Sequence, residues 1–376
     1  MTTAGEVGFP PETGVPDDRE LARRAAAAPR AVPAAPAGLG SGAPLLYLDQ
    51  QVWVRLLRGG REAAGQHRRL LDAVADGLVV TCLSAAHYAE TWHRGDWGSR
   101  WALARLMWDA SWLVTLAPLH ALHTAEVAHA MELLGVPLRH LPPSPDIVGR
   151  GVNHAFASPT GRLRILESLG PDGEEGPVIP LEQRSPEEQR FYRGGSAGYE
   201  WFSLAGLPCD MRMDGLDLNT QRREGERFAA EERALAELLT HRGPGASLGE
   251  AVTGNDLGWI WNALCAVCGD SGIDPNGLLQ ALAAGGGRPA VEEFVRSMPT
   301  FGLLHDLRVL RHQNPQQSWR GNDRRDLFAL AMAATYCRAV VTERHWTHLL
   351  GRLRIRQRTG AYVTPDLGDA LDELGV

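Results

Sequence analysis

Short apolar runs that end at a polar residue recur near both ends of this chain. The run at residues 45–48 ends at Asp49, and similar runs lie at residues 78–81, 339–342 and 361–364. Continuous apolar runs of this length are typical of strands that are buried on both faces of a parallel sheet. The pattern therefore predicts four buried strands, two towards each end of the chain.

Helical periodicity separates these runs. It extends over residues 66–75, 99–112 and 323–338, and shorter helical patterns follow Asp49 and Ser84. Strands that alternate with helices predict an α/β fold, in which a parallel sheet is sandwiched between layers of helices.

Composition and periodicity divide the chain into four segments. Residues 1–43 are rich in Ala, Pro and Gly and lack hydrophobic periodicity, which predicts a disordered tail. The strand and helix pattern fills residues 44–118 and returns at 315–376, so we interpret these segments as two parts of one domain. Residues 119–314 between them are interpreted as a mostly α-helical insertion. Within it, residues 155–218 are predicted to be rich in loops, and helices are predicted at 220–241, 247–268, 276–284, 289–297 and 301–312.

Composition also narrows the class of protein. The chain has 376 residues, of which 44% are hydrophobic, and a net charge of −7. This acidity counts against a protein that coats nucleic acid by bulk attraction, but a nuclease needs an acidic site to hold cations. No apolar run approaches the roughly 18 residues of a membrane helix, so we expect no association with a membrane.

The five cysteines are odd in number and irregularly spaced. This pattern is typical of free thiols in a reducing cytoplasm, which is the expected location of the protein. Cys265 and Cys268 have the spacing of half a zinc site. Because no second pair completes that site, both are interpreted as buried helix residues.

Carboxylates stand at or just beyond the ends of the predicted strands. Asp49 follows the first strand, Glu90 lies in the helix after the second, and Glu343 follows the third. Asp323 and Asp326 open the long helix near the C-terminus and share one of its faces. In a parallel sheet, residues at the carboxyl ends of the strands meet at one edge, where ligands bind. Carboxylates gathered there repel one another, and a divalent cation such as Mg²⁺ or Mn²⁺ would remove that cost.

Four motifs carry these acids. They are LYLD ending at Asp49, SAAHYAE ending at Glu90, NDRRDLFALAMAA containing Asp323 and Asp326, and VVTE ending at Glu343. Taken singly, each acid has an ordinary interpretation as a helix cap or a solvated residue. Taken together, the motifs resemble those of the PIN-like nuclease family over residues 44–115 and 318–376.

The resemblance implies a small parallel α/β/α sandwich, a divalent-metal site and endoribonuclease activity. It assigns metal binding and catalysis to Asp49, Glu90 and Asp326, with Asp323 and Glu343 assisting. Asp326 matches the helix acid of the family better than Asp323 does. Many relatives are toxins of toxin–antitoxin pairs, so the resemblance also implies an inhibitor protein as a partner. Where the last acid of the family normally stands, this chain has Arg344, one residue after Glu343.

Basic and aromatic residues flank the acidic motifs. Arg94, Arg320, Arg324 and Arg344 are candidates for holding the phosphates of a substrate, because arginine suits phosphate geometry. Arginines also alternate over residues 352–358, which would place them on one face of an extended segment. Two further hypotheses concern base stacking and the metal site. Trp97 and Trp319 are candidates for stacking on unpaired bases, and His87, although more plausibly structural, lies one turn before Glu90.

Three functions stay open at this point. The leading hypothesis is a metal-dependent endoribonuclease that cleaves single-stranded RNA, of a toxin or defence type. The second is a catalytically degenerate PIN-like protein in which the insertion serves as a protein-binding scaffold, an alternative favoured by the shifted Glu343. The third is a nuclease that acts on DNA, ranked lower because the sequence contains no recognisable duplex-reading module. Homo-oligomerisation is also left open.

Overall fold

The computed structural model describes most of the chain from residue 42 onward. The predicted tail, 1–43, and the predicted loop-rich stretch, 155–218, lie largely outside the described residues. The described residues are 29, 31–35, 39, 42–94, 96–157, 165–166, 183, 195–206, 212–213, 218–241, 248–314 and 318–376.

The strands form one parallel sheet and two small antiparallel pairs. All four predicted strands are present, with bounds that differ by at most two residues from those expected. The bounds are β1 Leu45–Leu48, β2 Val80–Cys82, β3 Val114–Leu116, β4 Val148–Arg150, β5 Ile165–Leu166, β6 Arg212–Met213, β7 Ala339–Val341 and β8 Tyr362–Thr364.

The central parallel sheet has the strand order β2-β1-β7-β8. In its register, Leu48 of β1 lies opposite Val341 of β7, so the two strands end side by side. A parallel bridge between Leu83 and Thr115 brings β3 alongside the end of β2, and β3 pairs in turn with β4. β3 was not predicted. The chain is thus an α/β protein whose central strand, β1, has neighbours from both ends of the sequence.

Helices make up most of the remaining described structure. Those predicted in the middle of the chain are present, and the two predicted at 276–284 and 289–297 form α10, which is kinked at Gly287 (φ 70°). One prediction was wrong: α13 and α14 occupy most of the segment predicted to be extended at 352–358, whereas α7, in the stretch predicted to be rich in loops, was not predicted. The bounds are α1 Gln50–Arg58, α2 Arg61–Ala75, α3 Ala85–Trp92, α4 Trp97–Ser111, α5 His123–Leu133, α6 Gly151–Ala155, α7 Gly195–Ala205, α8 Leu218–His241, α9 Leu248–Ser271, α10 Pro275–Arg296, α11 Pro299–His312, α12 Asp323–Tyr336, α13 Arg344–Arg352, α14 Ile355–Arg358 and α15 Leu367–Leu374.

The two faces of the sheet pack into two separate hydrophobic clusters. Because side chains of a strand point alternately to opposite faces, Leu46 and Leu48 enter one cluster and Tyr47 enters the other. Val341 and Val340 of β7 separate in the same way. Because helices cover both faces of the sheet, both sets of alternating side chains are buried. The strands therefore have continuous apolar sequences.

Helices of the middle segment contribute to both clusters. Phe228 of α8, Ile260 of α9 and Phe301 of α11 pack in the cluster of Tyr47, whereas Trp201 of α7 packs in the other. The division of the chain into a domain and an insertion stays a prediction, but these helices share the hydrophobic cores of the sheet. Among the helices that the structure describes, none is both long and apolar enough to cross a bilayer.

Candidate active site

Asp49 lies between the ends of the two central strands. Its backbone N–H donates to the carbonyl oxygen of Val341 over 2.9 Å. Its carboxylate caps α1 by accepting from the N–H of Gln50 at 2.7 Å, and its other oxygen accepts from the hydroxyl of Thr342 at 2.7 Å. Burial raises the pKa of Asp49, whereas these hydrogen bonds and Arg55 lower it. The prediction that this acid closes the first strand is confirmed.

His87 fixes the helix that carries Glu90. Its Nδ1 accepts from the backbone N–H of Ser84 at 2.9 Å, so its proton is on Nε2, which donates to the carbonyl of Leu48 at 2.7 Å. Burial lowers the pKa of His87 to about 4 and keeps the ring neutral. His87 is therefore structural: it ties the start of α3, the helix that carries Glu90, to the residue before Asp49.

Glu90 lies within electrostatic reach of three other acids of the cleft, which are Asp49, Asp326 and Glu343. Burial raises the pKa of Glu90 to about 7, and the charges of Asp49 and Glu343 add to the shift. Arg325 and Arg94 oppose it, which shows that guanidinium groups stand nearby. A carboxyl group with a pKa near 7 gives up its proton readily when a cation arrives.

Asp326 completes a group of three interacting carboxyls. It lies in the first turn of α12, and burial together with the charges of Glu90, Asp49 and Asp323 raises its pKa well above the ordinary value. Arg325, the preceding residue, partly offsets this repulsion. Acids from β1, α3 and α12 thus meet at the carboxyl edge of the sheet, as the sequence predicted.

Asp323 has a different environment from Asp326. Its carboxylate accepts from the guanidinium of Arg311 at 2.5 Å and from the backbone N–H of Arg320 at 2.6 Å. Arg311 in turn lies over the rings of Trp319 and Trp346, at 4.5 and 5.3 Å from their centroids. Asp323 lines the cleft, but its charge is already paired in a buried contact. Its place in the structure is that of an anchor for the start of α12.

Glu343 stands at the other side of Asp49. It is the N-cap residue of α13 and is exposed. Burial of its carboxyl group and the charge of Asp49 raise the pKa of Glu343. It is therefore within electrostatic reach of the acidic group although it comes one position earlier than the acid of the resembled family.

The acids face one cleft of about 1010 Å³, and part of its wall comes from the middle segment. Gln221, Arg222 and Glu226 of α8 stand in this wall, and the sequence did not single them out. The full lining comprises Asp49, Gln51, Glu90, His93, Arg94, Gln221, Arg222, Glu226, Arg311, Ser318, Arg320, Gly321, Asn322, Asp323, Arg325, Asp326, Glu343, His345 and Trp346.

Two of the four predicted phosphate-binding arginines line the cleft. Arg94 and Arg320 do so, whereas Arg324 donates to Glu224 at 2.8 Å and lies over Phe328. Arg344 is exposed and is not part of the lining. Arg325, whose guanidinium donates to Asn322 at 2.6 Å and approaches His93, takes a place in the cleft instead.

The aromatic residues proposed for base stacking are buried. Trp97 and Trp319 are only 7% and 4% exposed, and the ring of Trp319 packs against Phe228 and His312. Neither face is open to a base, so this prediction was wrong. Trp319 was proposed because a glycine and charged residues flank it in sequence, but the residues that cover its ring are Phe228, His312 and Arg311, which come from α8 and α11.

The cysteines agree with the expectation of free thiols. Cys82, Cys268 and Cys337 are buried, Cys265 is partly buried, and none of the four forms a disulfide. Cys209 lies outside the described residues. The half zinc site at Cys265 and Cys268 acquires no further ligand among the described residues.

The donors of the cleft suit a hard cation in kind. They are carboxylate oxygens, which Mg²⁺ and Mn²⁺ prefer, and their raised pKa values record the repulsion that a cation would relieve. Among the described residues, no three His, Cys, Asp or Glu side chains stand close enough together to hold a metal ion without adjustment. Binding would therefore require side-chain rotation of Glu90, Asp326 or Glu343.

No family model matches the chain, and no curated protein or solved structure matches it either. What the cleft does must therefore be inferred from its own residues.

Proposed function

We propose that this protein is a divalent-metal-dependent endoribonuclease of the PIN-like type. The observation that carries the proposal is the meeting of Asp49, Glu90 and Asp326 in one cleft, where burial raises the pKa of all three carboxyl groups and repulsion between acids adds to the shift at Glu90 and Asp326. Buried acids that repel one another lower the stability of the fold, and a bound cation would offset that repulsion. The lining arginines supply the complementary chemistry for a phosphate-bearing substrate.

Each group of the cleft has a distinct task in this proposal. Asp49, Glu90 and Asp326 hold Mg²⁺ or Mn²⁺, and Glu343 reaches the same region from the N-terminus of α13. A bound cation supplies Lewis acidity and lowers the pKa of water next to the phosphodiester. Arg94 and Arg325 stand beside the acids, where they would bind the phosphate and limit the charge of the empty cleft.

Single-stranded RNA suits the shape of the cleft better than a duplex does. Arg222 and Gln221 of α8 line the cleft together with the acids at the sheet edge, so the substrate would lie between these two walls. A flexible strand can follow such a channel, whereas a duplex is rigid over many base pairs. Two walls that both carry arginine would hold successive phosphates of one strand.

A cleavage assay with matched variants tests the proposal. Labelled single-stranded RNA and DNA pools are incubated with Mn²⁺, with Mg²⁺ or with chelator. Asp49→Asn and Asp326→Asn are compared with Asp366→Asn, because Asp366 also follows a strand of this sheet and caps a helix but lies outside the cleft. We expect metal-dependent RNA cleavage by the native protein and by Asp366→Asn, and none by the other two variants.

Each outcome of the assay has a definite meaning. Cleavage of DNA in place of RNA would support the proposed metal site but show that the substrate is DNA. Cleavage that persists in Asp49→Asn and Asp326→Asn would show that the cleft is not the active site. A folded native protein without cleavage under any condition would favour the degenerate scaffold, an alternative consistent with the exposed position of Glu343.

A further inference from the structure

We propose that a second cavity, which is basic and separate from the acidic cleft, binds a phosphate group. The cavity has a volume of about 560 Å³ and lies where α10, α11, α13 and α14 approach one another. Its wall carries four guanidinium groups and two carboxylates, a surplus of two positive charges in a chain whose net charge is −7. The lining residues are Glu293, Arg296, Asp306, Arg352, Leu353, Arg354 and Arg358.

A buried carboxylate organises two of these arginines. Asp306 of α11 has a side chain only 9% exposed, and its Oδ1 accepts from Nε of Arg296 at 2.9 Å. Its Oδ2 accepts from Nη1 of Arg358 at 2.5 Å. One acid thus holds guanidinium groups from α10 and α14 in fixed positions. Side chains that are already ordered lose less conformational entropy when an anion binds.

The other two arginines leave positive charge available. Arg352 donates to the side chain of Gln313 at 2.8 Å, a neutral partner that does not cancel its charge. Arg354 is exposed, and in the described part of the chain no side chain or carbonyl pairs with its guanidinium. Its backbone is left-handed (φ 54°), which is uncommon for a residue with a side chain. This conformation ends the turn after α13 and turns Arg354 into the cavity wall.

The arginines of residues 352–358 do not all have the same surroundings. Arg352, Arg354 and Arg358 line the cavity, whereas Arg356 donates to Glu373 at 2.9 Å and lies over the ring of Tyr362. Three of the four alternating arginines thus line one concavity. Guanidinium groups that converge on a concave wall match the geometry of a phosphate, which accepts paired hydrogen bonds.

The position of the cavity indicates the source of the phosphate. His345 and Trp346 of α13 line the acidic cleft, and Arg352, two turns later, lines the cavity. The helical rise separates these positions by about 10 Å. A single strand that leaves the cleft along α13 would bring a phosphate to Arg352 and Arg354. This source rests on the proposed nuclease function; the cavity itself would also accept a free phosphate ester.

Binding measurements on the full chain test the proposal. Asp49→Asn protein with Mg²⁺ provides an uncleaving background, and the probes are a dinucleotide, an RNA strand of about eight nucleotides and inorganic pyrophosphate. Arg352→Ala and Arg354→Asn are compared with Arg356→Ala, which removes the same charge from the same segment. Asparagine is chosen at residue 354 because it tolerates the left-handed conformation.

We expect Arg352→Ala and Arg354→Asn to weaken binding of the longer strand about five- to tenfold, with the salt slope reduced by about 0.7 for each arginine. Dinucleotide binding, and all binding by Arg356→Ala, should stay at the level of the background protein. A second outcome is that Arg352→Ala and Arg354→Asn lose binding of pyrophosphate, that Arg356→Ala keeps it, and that RNA binding is unaffected. This result would support a phosphate-binding cavity whose ligand is a free phosphate ester, even if the nuclease proposal fails. Equal behaviour of all three variants towards every probe would overturn the proposal.

Discussion

The hydroxyl of Thr342 donates a 2.7 Å hydrogen bond to the carboxylate of Asp49, although 293 positions separate the two residues in sequence. The bond exists because β1 and β7 are neighbours in register and end together. Thr342 is fully buried, so it holds the carboxylate from the side of the hydrophobic core. Asp49 is thus oriented by a residue that follows β7, before any ligand arrives.

Replacing Thr342 with valine should weaken cation binding without unfolding the protein. The hydrogen bond lowers the pKa of Asp49, so its loss leaves the carboxylate more protonated and fixed only by the N–H of Gln50. Bonds to charged groups contribute about 1.5–3 kcal/mol, which corresponds to at least a tenfold loss of Mn²⁺ affinity by calorimetric titration. Thr347→Val is the control, because the buried Thr347 hydroxyl has no hydrogen-bond partner among the described residues. Equal Mn²⁺ affinities for the two variants would contradict this role.

Glu90→Gln should stabilise the metal-free protein increasingly as the pH rises. The pKa of Glu90 is raised from 4.5 to about 7. Between these values the native state holds a proton that the unfolded chain has released, so the free energy of unfolding falls as the pH increases. Glutamine keeps the neutral form at every pH, and the gain should reach about 1–3 kcal/mol above pH 7.

Thermal unfolding at about pH 5 and pH 8 measures this difference. The melting temperature of Glu90→Gln should exceed that of the native protein clearly at the higher pH and little at the lower. Glu132→Gln, an exposed substitution outside the cleft, serves as the control. Mn²⁺ should raise the melting temperature of the native protein at the higher pH and affect Glu90→Gln less. A gap that does not change with pH would count against a proton on Glu90.

The two acids that open α12 should respond in opposite ways to conversion into asparagine. Asp323→Asn leaves the buried Arg311 without its salt-bridge partner and should lower the free energy of unfolding by about 2–4 kcal/mol, measured by the urea midpoint. The folded fraction should keep cleavage activity within severalfold. Asp326→Asn relieves repulsion from Glu90 and Asp49, so stability should hold or rise while cleavage is lost. The reverse pattern would exchange the assigned roles.

Gly225→Ala should displace the α8 wall of the cleft. A Cβ atom at Gly225 would lie 2.4 Å from the carbonyl oxygen of Gly321, in the loop before α12, so the two backbones would have to separate. Overpacking of this kind costs about 1–3 kcal/mol of stability, and we expect a higher KM for RNA. Gly254→Ala in α9 is the control, because its Cβ would meet open space and the change should stabilise by about 0.5–1 kcal/mol. Similar unfolding midpoints for both variants would refute this close approach.

Sequence patterns predicted the elements whose burial is uniform along their length. β1 and β7 are buried on both faces and read as apolar runs, and the two halves of α10 on either side of Gly287 were predicted separately. β3 escaped prediction because the chain turns from α4 into it through Trp112 and Leu113, both at positive φ. Two bulky residues in the left-handed region give no glycine or asparagine signal for the turn.

The acidic motifs of the site were predictable, but the roles of their neighbours were not. Asp49 directly follows β1, Glu90 lies in the helix after β2, and Asp326 lies in the first turn of the helix before β7. Their convergence at one edge therefore follows from the parallel sheet. The pairing of Asp323 depends on Arg311, which comes from a different helix in the predicted insertion. Arg222 enters the cleft through the packing of α8, and nothing in its charged surroundings separates it from solvated arginines. Such contacts depend on tertiary packing and leave no trace in local periodicity.

The central position of β1 has a consequence for the protein during translation. β1 pairs with β2 on one side and with β7, made almost three hundred residues later, on the other. A chain still attached to the ribosome and ending within α11 carries Asp49 and Glu90 but neither Asp326 nor Thr342. For an enzyme that cuts RNA, this order of synthesis protects the message that encodes it, and stalled chains of that length should show no cleavage. The topology of the sheet would thus delay activity until the segment that carries Asp326 and Thr342 has been synthesised.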